Sequence, residues 1–334
     1  MKAKTFIKFF LSFLVLFTLI FIPVVKGVSS INIFKTSDDA GDGNLEDQMD
    51  VSVLVSPDSE FFSAFTDVNR VNLLMVGINQ NMTDTIMLVS WNMDDNKIDL
   101  ISVPRDTYYE RKGYSSPAQK KINAAYGSQG IIGTANAVSD VLYGIPINYY
   151  AIVDYDAVRT IVDGIGGVPV NVEKAMKYDD PTDKPPLHIN IPAGEQVLDG
   201  DHAVQYLRYR KGNHGGGYAE GDIGRVKAQQ EFVKSAFKQA LDHGLIDSVK
   251  LITSNVESDI TVGAATKFAL KAVGLSSDSI ETYTIPGEGK YIGDVSYFLQ
   301  DKEATRDMLK EIYDPQPVTD GEAGSSTEDT AAAQ

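Results

Sequence analysis

The sequence contains no cysteine. Disulfide bonds and cysteine-based zinc or redox sites are therefore excluded. Histidine is also scarce, and the spacing of His188, His202, His214 and His243 does not match a zinc-binding motif. A chain without cysteine is compatible with export from a cell that does not rely on disulfides.

Basic residues are outnumbered. The chain has 30 lysines and arginines against 46 aspartates and glutamates, and its formal net charge is −16. Sequence-independent binding of nucleic acid depends on a basic face. No nucleic acid is therefore expected as a partner.

A long apolar run occurs at the N-terminus. Lys2, Lys4 and Lys8 precede an apolar stretch at residues 9–25. A helix over residues 6–25 would be about 30 Å long, which matches the hydrocarbon core of a bilayer. The preceding lysines would keep the N-terminus cytoplasmic and place the rest of the chain outside. A cleaved signal peptide is the alternative, but no small-x-small site follows and the run is long for one, so we favour an uncleaved signal anchor.

Composition divides the chain into four parts. Residues 1–26 form the cytoplasmic stub and anchor, and residues 27–67 form an extracytoplasmic spacer rich in acids. Residues 68–313 form the folded domain. Residues 314–334 contain no lysine or arginine and are predicted to be a disordered acidic tail.

Within the domain, the hydrophobic periodicity alternates between strands and helices. Strands are predicted at 71–76, 85–91 and 97–103, and the short turn at 94–96 requires an antiparallel pair. Further helices are predicted at 130–143, 156–163, 199–207, 223–241, 262–275 and 302–313, and further strands at 148–153, 168–172 and 280–285. This order predicts a layered α/β domain with a mixed sheet.

Arginine is rare and unevenly placed. The chain has 8 arginines against 22 lysines, yet Arg208, Arg210 and Arg225 lie in one short stretch, and Arg105 follows the third predicted strand. The planar guanidinium suits bidentate phosphate binding, although ion pairs with nearby acids would also explain each arginine alone. Arg208 and Arg210 are too close in sequence to share one helix face. Either the helix ends near Leu207, or only one of the two faces a ligand.

Hairpin topology predicts a specific contact. If the strand at 71–76 pairs antiparallel with 85–91, and that strand pairs with 97–103, the chain returns to the same end of the sheet. The loop at 77–84 and the loop at 104–106 then lie together. Asp84 and Arg105 should therefore face one another.

The start of a predicted helix is a third element that can lie beside Asp84 and Arg105. Asp222 is a plausible N-cap for the helix that follows, and Gly221 and Gly224 would let a ligand approach the backbone. Free N–H groups at a helix start attract anions, and Arg225 and Gln229 share one helix face. Gln229 could equally cap an edge of the core.

Eight short segments stand out by their sequence and order. They are DTIM at 84–87, ISVPRDT at 101–107, KIN at 121–123, GIPINYY at 144–150, DGIGGV at 163–168, LDGDHA at 198–203, LRYR at 207–210 and GDIGR at 221–225 with Gln229. In this order they resemble the LytR-CpsA-Psr family. The resemblance implies a three-layer α/β/α domain after an N-terminal membrane helix. It also implies a membrane-anchored phosphotransferase, outside the cytoplasm, that uses magnesium. Such an enzyme moves a teichoic acid- or capsule-like glycopolymer from an undecaprenyl-pyrophosphate carrier to peptidoglycan.

The resemblance also implies residue roles. Asp84 would hold Mg²⁺, as one carboxylate beside phosphate oxygens suits that ion. Asp84, Arg105 and Asp106 would be catalytic, with Asp84 and Asp106 as candidates for the general base. The pyrophosphate would be bound by Arg105, Lys121, Asn123, Arg208, Arg210, Arg225 and Gln229, and an apolar tunnel would take the lipid.

One segment departs from the family pattern. The residues at 77–84 carry Asn79 where an acid is expected, and they contain no arginine. A non-catalytic binder of polyprenyl-pyrophosphate glycans is therefore an alternative to an enzyme. A membrane-bound transcriptional attenuator is a second alternative, which the outward topology and the net charge of −16 oppose.

Overall fold

The computed structural model describes residues 61, 64, 69–183, 186–213, 215–272 and 274–313. The predicted anchor, the C-terminal tail and all of the spacer except Phe61 and Ala64 lie outside these residues. Those two side chains are buried in the domain core, so packing reaches back beyond residue 68. No helix in the described part of the chain combines the length and apolar character needed to cross a bilayer.

A mixed sheet of six strands forms the centre of the domain. The strands are β1 (Arg70–Asn79), β2 (Met82–Asn92), β3 (Lys97–Ser102), β4 (Tyr149–Val153), β9 (Glu257–Ser258) and β10 (Ile280–Thr284). Their order in the sheet is β10-β3-β2-β1-β4-β9. The pairs β1–β4 and β3–β10 are parallel, and the pairs β1–β2, β2–β3 and β4–β9 are antiparallel. The predicted α/β class with a mixed sheet is confirmed.

The helices and the small sheets complete the described fold. The helices are α1 (Ala124–Val141), α2 (Tyr155–Gly164), α3 (Gly200–Arg208), α4 (Asp222–His243), α5 (Leu245–Asn255), α6 (Val262–Lys271) and α7 (Lys302–Tyr313). Three two-stranded sheets pair β5 (Val168–Val172) with β8 (Gly194–Leu198), β6 (Met176–Asp180) with β7 (Leu187–Ile191), and β11 (Gly287–Ile292) with β12 (Val295–Gln300). The periodicity did not predict β6–β9, α5, β11 or β12.

Side-chain alternation gives the central sheet two different faces. On β1, Leu74 and Val76 point into a core shared with α1 and α7. The intervening Leu73 and Met75 point the other way, towards a cavity that is also lined by α2, α4, α5 and α6. Helices therefore cover both faces of the sheet.

The turn between β1 and β2 differs from the predicted loop at 77–84. The two strands continue into that segment and leave only Gln80 and Asn81 between them. Gln80 adopts a φ of 56°, and the register shifts by a bulge after Gly77. The loop prediction was wrong because the bulge allows β1 and β2 to continue their pairing through this polar segment. Asp84 consequently lies inside β2, where the strand fixes its position.

Candidate active site

Three strand ends define the candidate site. Gly77 of β1 pairs with Thr85 of β2 on one side and with Val153 of β4 on the other. Asp84 therefore lies at the same edge of the sheet as Tyr155, which begins α2 directly after β4. Arg105 reaches this edge three residues after the end of β3.

Asp84 is the centre of the cluster. One carboxylate oxygen, Oδ1, accepts a hydrogen bond from Nη1 of Arg105, and the other, Oδ2, accepts one from the Tyr155 hydroxyl at 2.8 Å. The Asp84 and Arg105 side chains are 21% and 23% exposed, so the pair is accessible from solvent. The contact predicted from hairpin topology is present.

Arg105 lies among three carboxylates. Burial would lower the pKa of its guanidinium, but the negative charges of Asp84, Asp222 and Asp106 raise that pKa overall. Its Nε atom is buried and has no hydrogen-bond partner among the described residues. Part of the guanidinium is therefore left for a further acceptor.

The start of α4 supplies a second guanidinium, which is buried. Arg225 is 7% exposed, and its Nη2 lies 2.8 Å from Oδ1 of Asp222. Burial and the neighbouring Arg105 charge both lower the pKa of Arg225. Two guanidinium groups whose positive charges repel one another favour a bound anion.

The predicted N-cap of α4 was wrong. Asp222 is the first helical residue, and the N-cap is Gly221, whose φ of 60° favours glycine. Gly224 serves packing, since a Cβ there would lie 2.3 Å from the Tyr218 Cβ. Asp222 is instead part of the charged cluster.

Arg208 and Arg210 point to different neighbours. Helix α3 ends at Arg208 and the chain then becomes extended, which is the first of the two predicted alternatives. Arg208 pairs with Asp183, and its Cζ lies 4.8 Å from the Tyr155 ring centroid. Arg210 is 48% exposed, and its Nε lies 3.7 Å from Asp222. Arg210 is the freer of the two to meet a ligand.

The remaining predicted residues surround the cluster. Nζ of Lys121 lies 3.0 Å from the Asp106 carboxylate, so these two charges offset one another. The backbone N–H of Asn123 donates to the carbonyl of Arg105 at 3.2 Å, and this bond holds the loop that carries Arg105. The side-chain oxygen of Asn123 is buried without a hydrogen-bond partner among the described residues.

An apolar cavity of about 540 Å³ opens beside the cluster. It lies between the sheet and helices α2, α4, α5 and α6, and most of its wall is aliphatic or aromatic. Asp84, Arg225 and Gln229 are among its few polar lining residues, so one end of the cavity meets the charged cluster. Gln229 Nε2 donates to the Leu207 carbonyl at 3.1 Å, which ties α4 to the end of α3.

The carboxylates of the cluster are candidate ligands for the magnesium that the family resemblance implies. Among the described residues, no group of three or more histidine, aspartate or glutamate side chains could hold an ion. Apart from the ion pairs of Oδ1 with Arg225 and Arg210, both carboxylate oxygens of Asp222 are nevertheless buried without a hydrogen bond in that part of the chain. Magnesium is typically held by one or two carboxylates together with substrate phosphates. Asp84 and Asp222 fit such a site when a phosphate ligand supplies the other oxygens.

Sequence reasoning missed Tyr155 and Asp183. Tyr155 could have been found by placing the fourth strand parallel to the first, because the ends of parallel neighbours meet at one edge. The hydroxyl of Tyr155 is buried next to Asp84, and burial together with that negative charge raises its pKa. Tyr155 therefore remains a hydrogen-bond donor at neutral pH. No sequence signal identifies Asp183.

Known proteins share sequence similarity with this chain. The LytR_cpsA_psr family model matches residues 33–313. The polyisoprenyl-teichoic acid–peptidoglycan teichoic acid transferase TagU of Bacillus subtilis is 26% identical over 250 residues, which are 72% of this chain and 76% of that protein. TagV of the same organism, with the same transferase name, is 26% identical over 315 residues, or 89% of this chain and 77% of that protein.

The fold is also similar to a solved structure. The crystal structure of B. subtilis TagV matches with a TM-score of 0.61 at 26% identity, and the match covers 74% of this chain and 98% of that chain. The similarity therefore extends over nearly all of the solved domain.

Proposed function

This chain belongs to the LytR-CpsA-Psr family, and from that membership we propose that it is a glycopolymer phosphotransferase. It transfers a teichoic acid- or capsule-like polymer from an undecaprenyl-pyrophosphate carrier to peptidoglycan. The observation that carries this proposal is the junction of the Asp84–Arg105–Arg225 cluster with the apolar cavity. A lipid diphosphate has the same two parts, a strongly anionic group joined to an apolar chain.

The charged cluster suits the diphosphate. Arg225 is buried, Arg105 is partly exposed, and Arg210 is half-exposed beside them. Guanidinium groups bind phosphate oxygens through two parallel N–H bonds, and such bonds are stronger where water is excluded. The cavity behind the cluster takes the isoprenoid chain, whose transfer from water is favourable by roughly 25 cal/mol per Å².

The reaction is a phosphoryl transfer. A sugar hydroxyl of the wall attacks the distal phosphorus, a new P–O bond forms, and the bond to the bridging oxygen breaks. Undecaprenyl phosphate leaves with that electron pair. Arg105, Arg210 and Arg225 stabilise the charge on the phosphate oxygens, which is the main contribution a protein makes in this chemistry.

The hydroxyl proton goes to a carboxylate. Both oxygens of Asp84 already accept hydrogen bonds, from Arg105 and from Tyr155. Asp106 contacts the single ammonium of Lys121 and retains free lone pairs. Asp106 is therefore the better of the two candidate bases.

Magnesium is part of the proposal. Asp84 and Asp222 would hold it together with oxygens of the diphosphate. When bound, the ion would neutralise charge on the phosphate oxygens.

We further infer a membrane location. Residues 1–26 would anchor the chain by their apolar run and would precede the three-layer α/β/α domain outside the cytoplasm. A periplasmic-type phosphatase reporter fused after Gln334 should be active only if the C-terminus is outside. Activity of a cytoplasm-dependent reporter alone would instead favour the attenuator function.

The transferase function has a direct test. Full-length protein in detergent, with Mg²⁺, a polyprenyl-pyrophosphate glycan and peptidoglycan, should yield polymer-bearing peptidoglycan and polyprenyl phosphate. The Arg105→Ala variant is the negative control. Tight binding of the donor without either product would identify a non-catalytic binder, which the missing acid at Asn79 would then explain.

A further inference from the structure

We propose that Tyr155 is a positioning residue of the phosphate site, which holds Asp84 through its hydroxyl and Arg208 through its ring. The inference rests on the proposed function, because it concerns how the same site binds a diphosphate. Tyr155 donates to Oδ2 of Asp84 at 2.8 Å, and its ring lies 4.8 Å from the Arg208 guanidinium carbon.

Tyr155 is placed by a well-defined backbone. It is the first residue of α2, and the preceding Asp154 caps that helix by accepting a hydrogen bond from the Ala157 N–H at 2.7 Å. The strand before it, β4, pairs in parallel with β1. The side chain therefore leaves a fixed point at the sheet edge.

The hydroxyl controls how Asp84 meets Arg105. Arg105 uses Nη1 for Oδ1 of the carboxylate, while its Nε has no partner among the described residues. Carboxylates and guanidinium groups tend to form bidentate pairs with two parallel bonds. Because Tyr155 occupies Oδ2, it opposes rotation of Asp84 into such a pair. The remaining N–H groups of Arg105 stay available for phosphate oxygens.

The ring has a second role at the boundary of the cavity. Tyr155 is one of the cavity-lining residues, and Arg208 lies over its ring while it also pairs with Asp183. A guanidinium over an aromatic face is stabilised by the ring quadrupole. One side chain therefore links the apolar wall to two charged groups of the site.

The Tyr155→Phe variant separates the two roles. It removes the hydroxyl and keeps the ring, so a purely structural tyrosine would leave ligand affinity unchanged. Farnesyl diphosphate is the probe, because it carries a diphosphate on a short isoprenoid and is water-soluble. We expect its Kd, measured by titration calorimetry on the full-length protein in detergent, to rise about 5- to 10-fold. Tyr155→Ala, which also removes the support of Arg208, should raise Kd further.

A double-mutant cycle tests whether the hydroxyl acts through Asp84. In the Asp84→Ala background, which leaves the hydroxyl no partner at position 84, Tyr155→Phe should have no further effect on Kd. Tyr206→Phe is the matched control, because Tyr206 is a buried tyrosine of α3 that packs against Phe232, and its Kd should equal that of the wild type. Thermal unfolding of each variant reports on folding separately.

Three results would overturn the inference. They are an unchanged Kd in Tyr155→Phe, a full additive effect of Tyr155→Phe in the Asp84→Ala background, and no binding of farnesyl diphosphate by the wild type. Failure of the proposed function has a different signature. In that case the wild type would bind the diphosphate without transferring polymer, and the comparison of Kd values would still stand.

Discussion

Arg105 and Asp84 are 21 residues apart in the sequence and in direct contact in the fold. Two consecutive hairpins, β1–β2 and β2–β3, bring them to one edge of the sheet. Asp84 leaves part of the guanidinium unused, and this edge opens into an apolar cavity. The pair is therefore arranged to bind an anion that carries an apolar chain.

Arg105→Ala should reduce transfer by roughly 10³-fold or more, because one arginine at a transferring phosphoryl group can contribute 10³–10⁵ in rate. The side chain is partly exposed, so thermal stability should change little. Arg159→Ala is the control, since Arg159 forms surface ion pairs with Asp156 and Asp201. A variant at position 105 with normal activity and normal stability would contradict the site assignment.

Arg210→Ala should mainly reduce activity, whereas Arg208→Ala should also reduce stability. Arg210 is half-exposed, so its loss should cut activity severely while the free energy of unfolding stays within about 0.5 kcal/mol. Arg208 is only 14% exposed and pairs with Asp183, so Arg208→Ala should destabilise the fold by about 1–3 kcal/mol. Urea unfolding and transfer assays of the two variants measure this contrast. Equal loss of stability in both would show that Arg210 is structural as well.

The buried hydroxyl of Tyr313 should make the stability of the folded domain depend on pH. Burial raises the pKa of its hydroxyl from 10.0 to about 12. The folded state then holds this proton more tightly than the unfolded state, so the stabilisation is complete below pH 10 and is lost as pH rises towards 12. Two pKa units correspond to about 2.7 kcal/mol.

Tyr313→Phe isolates this effect. The hydroxyl lies 2.9 Å from the Ser90 hydroxyl in the core, so its removal should cost about 1 kcal/mol at pH 7. The difference from wild type should shrink as pH rises above 10. Urea unfolding of both proteins at several pH values measures this difference in stability. A difference that stays constant with pH would refute the assigned pKa.

The sequence predicted the parts of the site that depend on local patterns. The hairpins follow from strand periodicity and one short turn, and they were sufficient to bring Asp84 and Arg105 together. The position of Tyr155 depends on β4 pairing with β1, a long-range choice that periodicity does not determine. The strands β6 and β11 were missed because MKYDD and GEGKYI lack the apolar alternation of a buried strand.

The family resemblance implied an apolar tunnel, but the residues that line the cavity were beyond sequence reasoning. In the sequence, residues such as Phe232, Val249 and Phe268 look like ordinary members of the apolar faces of helices. Whether such faces close on a sheet or stay apart is decided by how the helices pack together. Only the fold shows that they leave a space beside Arg225.

Removal of metal should abolish transfer. Treatment with EDTA should stop the reaction, and added Mg²⁺ should restore it in the wild type. Asp84→Asn should not be restored, and Asp222→Asn should need a higher Mg²⁺ concentration, because an amide is a weaker ligand than a carboxylate. Mg²⁺ should also raise the thermal midpoint of the wild type in the presence of farnesyl diphosphate, but not that of Asp84→Asn. Full activity in EDTA would exclude a role for the ion.

Filling the cavity should weaken binding of the lipid without affecting binding of the diphosphate group. Ala265 of α6 lines the cavity, and Ala265→Phe would place a ring in the space that we assign to the isoprenoid. We expect the Kd for a long-chain polyprenyl diphosphate to rise at least about 10-fold, since one displaced isoprenoid unit removes several buried carbons at about 0.8 kcal/mol each. The affinity for inorganic pyrophosphate should not change, because the Arg105 cluster is untouched. Lys267→Phe, on the exposed side of the same helix, should change neither value. Equal affinity of Ala265→Phe and wild type for the long-chain ligand would place the isoprenoid elsewhere and leave the cavity without its assigned occupant.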